Sequence, residues 1–270
     1  MQGRRILSWL MSSLLLATTS TTFAENNIDA LNKEVQNPIA NLVSVPFQNN
    51  FNFNVGKNKQ LQYILNIEPV IPFPLDENWN LITRTILPIT NQPYLAPNIG
   101  SAVGLGDTTF TPFLSPAKVT DFIWGAGPAL LLPTATNGSL GAEKWGIGPS
   151  LVGLTQQGHW TIGMLANQIW SVAGNHSRPP YSEAFLQPFV SRTFEHGWST
   201  TFESESTYNW KAPGGQQWLV PLEFIVSKIV IVGGKVPLNI GGGVLYYPEK
   251  PSGSATWGVR LNISLLLPKG

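Results

Sequence analysis

Thr256-Trp257-Gly258-Val259-Arg260-Leu261-Asn262-Ile263-Ser264-Leu265-Leu266-Leu267 is the stretch that decides the fold. Its odd positions, Trp257, Val259, Leu261, Ile263, Leu265 and Leu267, form one apolar row, and Thr256, Gly258, Arg260, Asn262 and Ser264 stand opposite. A period of two marks a β-strand with two unlike faces, because successive side chains leave the pleat on opposite sides. The pattern recurs from residue 44 to 55, where Val45, Phe47, Phe51, Phe53 and Val55 oppose Ser44, Gln48, Asn50, Asn52 and Asn54. It recurs again from 198 to 210: Ser199, Thr201, Glu203, Glu205, Thr207 and Asn209 are all polar, against Trp198, Phe202, Tyr208 and Trp210.

Composition separates a membrane barrel from a soluble sandwich, which alternates in the same way. A sandwich covers its outer faces with charge, and 11% charged residues, against roughly 25% in ordinary soluble domains, is thin cover. The chain is 43% hydrophobic and 11% aromatic, with ten tryptophans, yet no run reaches the roughly 20 apolar residues of a membrane helix. Zero cysteines exclude a disulfide scaffold, a thiolate zinc site, an iron–sulfur centre and a cysteine nucleophile. With a net charge of +1 and no basic cluster beyond Arg4-Arg5, nucleic acid is not an expected partner.

The first 24 residues have the three parts of a cleaved export signal: Arg4-Arg5, an apolar stretch from Ile6 to Ala17, and Thr22-Phe23-Ala24 before Glu25. The expected organisation is a signal peptide over 1–24, a periplasmic leader or plug helix over 25–43, and a barrel over 44–270. In the leader, Ile28, Leu31, Val35, Ile39 and Leu42 have roughly helical spacing, with Pro38 interrupting.

Strands are expected near 44–55, 60–73, 78–90, 104–115, 121–133, 145–156, 159–171, 183–195, 198–209, 217–229, 235–247 and 256–267. The fold class is therefore all-β, an antiparallel up-and-down transmembrane barrel of about twelve strands, an even number as in single-chain bacterial barrels. If residue 44 starts on the periplasmic side, the turns near Asp76, Ala117, Gln157, His196 and Gly233 are all periplasmic and short. The longer connections then fall outside, apart from a short one at 56–59. Tryptophans cluster where an indole would settle at the headgroup level: Trp79, Trp160 and Trp198 after periplasmic turns, and Trp145, Trp170, Trp210, Trp218 and Trp257 beside the long loops. Trp160 to Trp170 would rise about 25 Å at a usual strand tilt, the height of a lipid-facing band. Pro69, Pro72, Pro128, Pro149, Pro188, Pro221 and Pro237 oppose this scheme, since each removes a ladder donor.

Val45-Pro46-Phe47-Gln48-Asn49-Asn50-Phe51, Asn66-Ile67-Glu68-Pro69-Val70-Ile71-Pro72, the run from Trp79 to Pro88, Gly104-Leu105-Gly106-Asp107 and Gln187-Pro188-Phe189 resemble recurrent blocks of a Gram-negative outer-membrane family. That family is labelled MetA-pathway of phenol degradation-like, and its members are called neuromedin U-like or simply transporter. The resemblance covers most of the mature chain. It implies an outer-membrane barrel that takes up small molecules, aromatic or hydrophobic ones among them, and that depends on the barrel assembly machinery.

The inward rows would carry Glu68, Arg84, Arg192, Glu203, Glu205, Glu223 and Arg260. Equal distances from turns suggest two cross-strand pairs, Glu68 with Arg84 and Arg192 with Glu203. Opposed charges can form a selective constriction or a satisfied network filling the barrel. A porin-like channel for small solutes is the leading expectation, a structural barrel with a filled lumen the next, and a lipid hydrolase the third. No catalytic residue is assigned: the histidines are His159, His176 and His196, and no Gly-x-Ser-x-Gly motif accompanies them. No cofactor is expected, and no metal, because no His or acid cluster has ligand spacing. Gly241-Gly242-Gly243 lacks the Lys-Ser/Thr of a phosphate loop and reads as mid-strand room for a bulge or a bulky neighbour.

Overall fold

The computed structural model describes residues 28–95, 100–118 and 120–267; the expected signal peptide lies outside them. Fifteen strand segments make a single antiparallel sheet. They are β1 (Val43–Val55), β2 (Gln60–Ile67), β3 (Val70–Pro74), β4 (Trp79–Gln92), β5 (Ala102–Leu105), β6 (Thr108–Pro116), β7 (Phe122–Leu132) and β8 (Lys144–Gln157). There follow β9 (Trp160–Gly174), β10 (Ser182–Thr193), β11 (Trp198–Glu203), β12 (Ser206–Asn209), β13 (Trp218–Val232), β14 (Val236–Glu249) and β15 (Trp257–Leu267). Three pairs, β2 with β3, β5 with β6 and β11 with β12, are single strands interrupted for two residues, so the wall has twelve strands. Each strand pairs with the next, and β15 pairs with β1 from Val43↔Leu267 to Phe53↔Trp257, which closes the barrel and leaves no free edge.

Those interruptions answer part of the objection from proline. Pro46 stands beside the Glu68-Pro69 break, Pro88 beside Gly106-Asp107, and Pro188 beside Ser204-Glu205. A proline offers a carbonyl to the ladder but no N–H. Its carbonyl still accepts from the broken strand, from Glu68 N at 2.9 Å, Gly106 N at 2.8 Å and Ser204 N at 3.2 Å respectively, while the missing donor lets that strand depart from regular pairing. Pro221 occupies a bulge in the β13–β14 register, and Pro128 and Pro149 are cross-strand partners, so one site absorbs two lost donors.

The outer wall is apolar between two levels of aromatic side chains. Leu151, Ile162, Met164, Phe224, Val244, Leu261 and Ile263 are all exposed on it. At the end where β1 begins and β15 finishes stand Trp79, Trp124, Trp160 and Trp198; at the end with the longer loops stand Trp145, Trp170, Trp210, Trp218 and Trp257. All but Trp79, which packs edge-on against Trp124, are exposed. The eight tryptophans expected at the interfaces thus stand toward the two ends of the wall, and Trp124 stands with them.

The short helix over residues 28–35 and the segment that follows it enter the end where β1 begins and β15 finishes, hereafter the termini end. Ile28, Leu31 and Val35 share one helix face and pack on Ala40, Leu42, Ile229 and Leu266. Asp29 accepts from Gly197 N (2.9 Å), Asn32 donates to Trp198 O (2.8 Å) and Gln156 donates to Lys33 O (2.9 Å), which ties the helix across the mouth from the β10–β11 turn to β8. Beyond it Ile39 inserts into the interior and completes a core with Val70, Ile82, Phe113, Val152, Leu154, Leu165 and Phe189, residues from six segments of the wall.

Candidate functional site: the charged cluster in the lumen

Above that apolar core, inward rows from several strands bring six charged side chains together. Arg260 of β15 is their hub. Its guanidinium pairs with Glu223 (Nη1 to Oε2, 2.6 Å), Glu205 (Nη2 to Oε2, 2.8 Å) and Glu203 (Nη1 to Oε1, 3.8 Å), and its Nε donates to Asn50 Oδ1 at 2.6 Å. Arg84 of β4 pairs with Glu68 at 3.0 Å. Gln187 of β10 spans the acids by donating to Glu203 at 3.0 Å and Glu205 at 3.4 Å.

Local backbone structure explains the convergence. Glu203 and Glu223 are direct cross-strand partners, an arrangement of like charges that repels unless a cation stands between them. Arg260 supplies that cation from two strands away. Its neighbour on β14 is Gly243, whose missing side chain leaves the interior open for the guanidinium to reach past β14 to β13. A Cβ on Gly243 would collide with Phe224 O and meet Ile225 Cγ1 at 2.9 Å. Glu68 and Glu205 sit in two of the strand breaks, where loss of regular pairing lets the carboxylates lean toward the guanidiniums.

Six of the seven expected lumen residues are therefore assembled, and Glu68 meets Arg84 although the register sets Val70, not Glu68, opposite Arg84. Arg192 does not belong with them. The β10–β11 register sets Arg192 against Thr200 and Phe189 against Glu203, so Arg192 lies on the even, outward row, against the rings of Trp160 and Phe194. The hairpin is centred at His196, where a turn was expected, but matching Arg192 with Glu203 takes its centre at Gly197. The expected pair was out of register by an odd number of residues, which exchanges the two faces of a strand.

Four carboxylates meet two guanidiniums, leaving two excess negative charges when all are ionised. Glu223 has no solvent exposure, and its Oε1 has no hydrogen-bond partner among the described residues. The cluster divides the lumen. Toward the longer loops lies a cavity of about 640 Å³ lined by Asn50, Asn52, Gln62, Glu205, Glu223 and Tyr247 among others; toward the termini lies one of about 200 Å³, bordered by residues 35–42 and reaching Glu68, Arg84 and Glu203. Gln187, Asn50, Gly243 and Ile39 were not singled out as parts of this site. The triple glycine is the clearest trace of the site in the sequence, since its last member, Gly243, is the cross-strand partner of Arg260.

Elsewhere, Asp107 holds the β7–β8 loop by accepting from Ala135 N and Ala142 N at 3.2 and 2.6 Å. His159 and His196 lie in turns at the termini end, His176 lies exposed in a loop, and the neighbouring Ser177 donates its hydroxyl to Asn175 at 2.7 Å. No group of His, Cys, Asp and Glu that could hold a metal ion occurs among the described residues.

Solved structures of similar shape carry the same wall. The COG4313 outer membrane channel from Pseudomonas putida F1 superposes with a TM-score of 0.60 at 17% identity, over 83% of this chain and 93% of that one. The fold is shared with outer-membrane channels. The NanC porin superposes with a TM-score of 0.52 at 9% identity, over 84% of this chain and all of the other. No family model and no curated protein matches the sequence.

Proposed function

We propose that this chain is exported to the bacterial outer membrane, lies there as a monomeric barrel, and passes small solutes through its lumen, with small aromatic or hydrophobic molecules the leading class. The observation that carries the reading is an apolar outer band between two aromatic rims around an interior that holds two cavities on either side of a charged cluster. A protein that only fills its barrel has no need of a 640 Å³ chamber. The similar channels, the resemblance of the blocks between Val45 and Phe189, and the export signal at residues 1–24 support the same reading, with the assembly machinery as a transient partner.

The arrangement suggests how passage is controlled. Solute enters the outer cavity, meets the Glu–Arg cluster, and continues along the inner cavity beside residues 35–42. The excess of carboxylates favours cations over anions, since a charged ring in a narrow bore attracts the opposite sign. Apolar walls from Phe189 and Ile225 give an uncharged ring a surface to slide along. The N-terminal segment narrows the inner end, so its position sets the flux. Liposomes containing the purified protein should swell in phenols and small amino acids faster than in disaccharides. Protein-containing liposomes that swell no faster than empty ones in every solute would establish the filled-barrel alternative instead.

A further inference from the structure

The outward rows of the strands carry little charge, and two of the exceptions stand together. The register sets Arg192 on β10 and Lys228 on β13 on outward rows, at the aromatic level of one end of the barrel. Both are cations and both lie at the termini end. The Arg192 guanidinium carbon is 5.2 Å from the Trp160 ring centroid and 5.1 Å from that of Phe194; Lys228 Nζ is 4.9 Å from that of Trp198. The pairings Arg192↔Trp160, Arg192↔Thr200 and Trp198↔Lys228, with Phe194 N donating to Trp198 O at 2.7 Å, make one patch across four adjacent strands.

We propose that this patch is a binding site for the phosphate of an anionic phospholipid in the leaflet at the termini end, with Arg192 and Lys228 as its ligands and the acyl chains lying along the apolar wall above. The site rests on the reading of the chain as a membrane barrel. A ring face lowers the cost of holding a cation at the wall but accepts few of its hydrogen bonds: the guanidinium keeps five N–H donors and the ammonium three. Among the described residues no carboxylate pairs with either. The two cations lie two strands apart and two residues apart along them, about 12 Å between backbones at the usual strand spacings, which two long side chains can span to oxygens of one headgroup. Arg192 suits a phosphate because its fork meets two oxygens at once. The aromatic level is where headgroup phosphates lie, and Val190, Phe202, Phe224 and Val226, exposed above the patch, offer the apolar surface that free phosphate would not use.

The test is native mass spectrometry of the detergent-purified full-length mature barrel, titrated with phosphatidylglycerol, diacylglycerol and inorganic phosphate, for the parent and for Arg192→Gln combined with Lys228→Gln. The expected result is one phosphatidylglycerol held far above the level of diacylglycerol. The double variant should lose about twenty-five-fold in apparent affinity, roughly five-fold per cation at the value usual for a basic residue at an anionic surface. Equal retention of phosphatidylglycerol by the variant, or equal retention of diacylglycerol by the parent, overturns the site. Displacement of the lipid by millimolar phosphate would show a simple anion site and overturn the lipid assignment, and a dimer that the double variant abolishes would show a contact between copies and do the same. Folding into vesicles with heat-modifiable gel migration is read in parallel: a variant that inserts yet binds lipid as before refutes the site alone, whereas a parent that does not insert refutes the barrel reading beneath it.

Discussion

Arg260→Gln is the perturbation that most severely tests the architecture of the lumen. The parent side chain is 3% exposed and touches three carboxylates, at 2.6, 2.8 and 3.8 Å, and the Asn50 amide oxygen at 2.6 Å. Glutamine keeps a polar end but removes the charge, leaving Glu203 and Glu223 face to face across a ladder with no cation between them. Removing one partner of a buried ion pair costs about 3–5 kcal/mol, chiefly through the stranded opposite charge. At about 1.4 kcal/mol per decade, the folding equilibrium shifts by roughly 10² to 10⁴. The assay is urea-driven unfolding and refolding in phospholipid vesicles, followed by tryptophan fluorescence and by gel migration of the folded barrel. Glu223→Gln added to Arg260→Gln removes the most deeply buried of the stranded acids and should recover part of the loss, on the order of 1 kcal/mol or more. A single variant within about 0.5 kcal/mol of the parent, a shift usual for surface changes, would falsify the claim that Arg260 holds this cluster together.

Gly243→Val should destabilise the barrel, because its side chain would meet Phe224 O and the Cα and side chain of Ile225 on β13; equal vesicle-folding midpoints for variant and parent would contradict this. Phe113→Ala, at a fully buried side chain of the inner core, should cost about 3–5 kcal/mol, whereas Phe224→Ala on the exposed outer band should cost much less in detergent; the order of the two melting temperatures decides. In a salt gradient across a planar bilayer the parent should prefer cations, and Glu205→Gln should weaken that preference, an outcome read directly from the reversal potential. Asp107→Ala releases two backbone donors of the β7–β8 loop, so cleavage by added protease should begin between residues 134 and 143 while the strands stay protected.

The wall was legible because its physics is periodic. In the segment from Thr256 to Leu267, six alternate apolar residues and the polar row between them fix the strand, its two faces and the inward aim of Arg260. Tryptophans mark the rims for a comparable reason, since an indole has one favoured depth. What could not be read was whatever depends on register summed over several strands. Arg192 was assigned inward because a turn centre was misplaced by an odd step in the pairing, while Glu68 and Arg84 tolerated a similar uncertainty because a shift of two residues keeps the face and long side chains bridge the diagonal. The meeting of Arg260 with Glu223 requires three strands and a side-chain gap at Gly243, which no local pattern encodes. The prolines were misleading one at a time and informative in neighbouring strands, where Pro46, Pro88 and Pro188 each stand beside a break. Ile39 belongs to an inner core whose other members come from β3, β4, β6, β8, β9 and β10, a grouping that does not follow from its helical spacing with Val35.

Passage of solute through the lumen past the N-terminal segment can be measured directly, because the chain has no native cysteine. Gln36→Cys and Ser199→Cys replace side chains already in contact at 3.3 Å, and a short reducible thiol crosslinker then fixes the segment to the wall. Flux of a small phenol into liposomes is measured before and after reduction of the linker. Low flux is expected while the segment is fixed, with a return to the uncrosslinked rate on reduction; the same flux in both states would show that solute does not pass the segment.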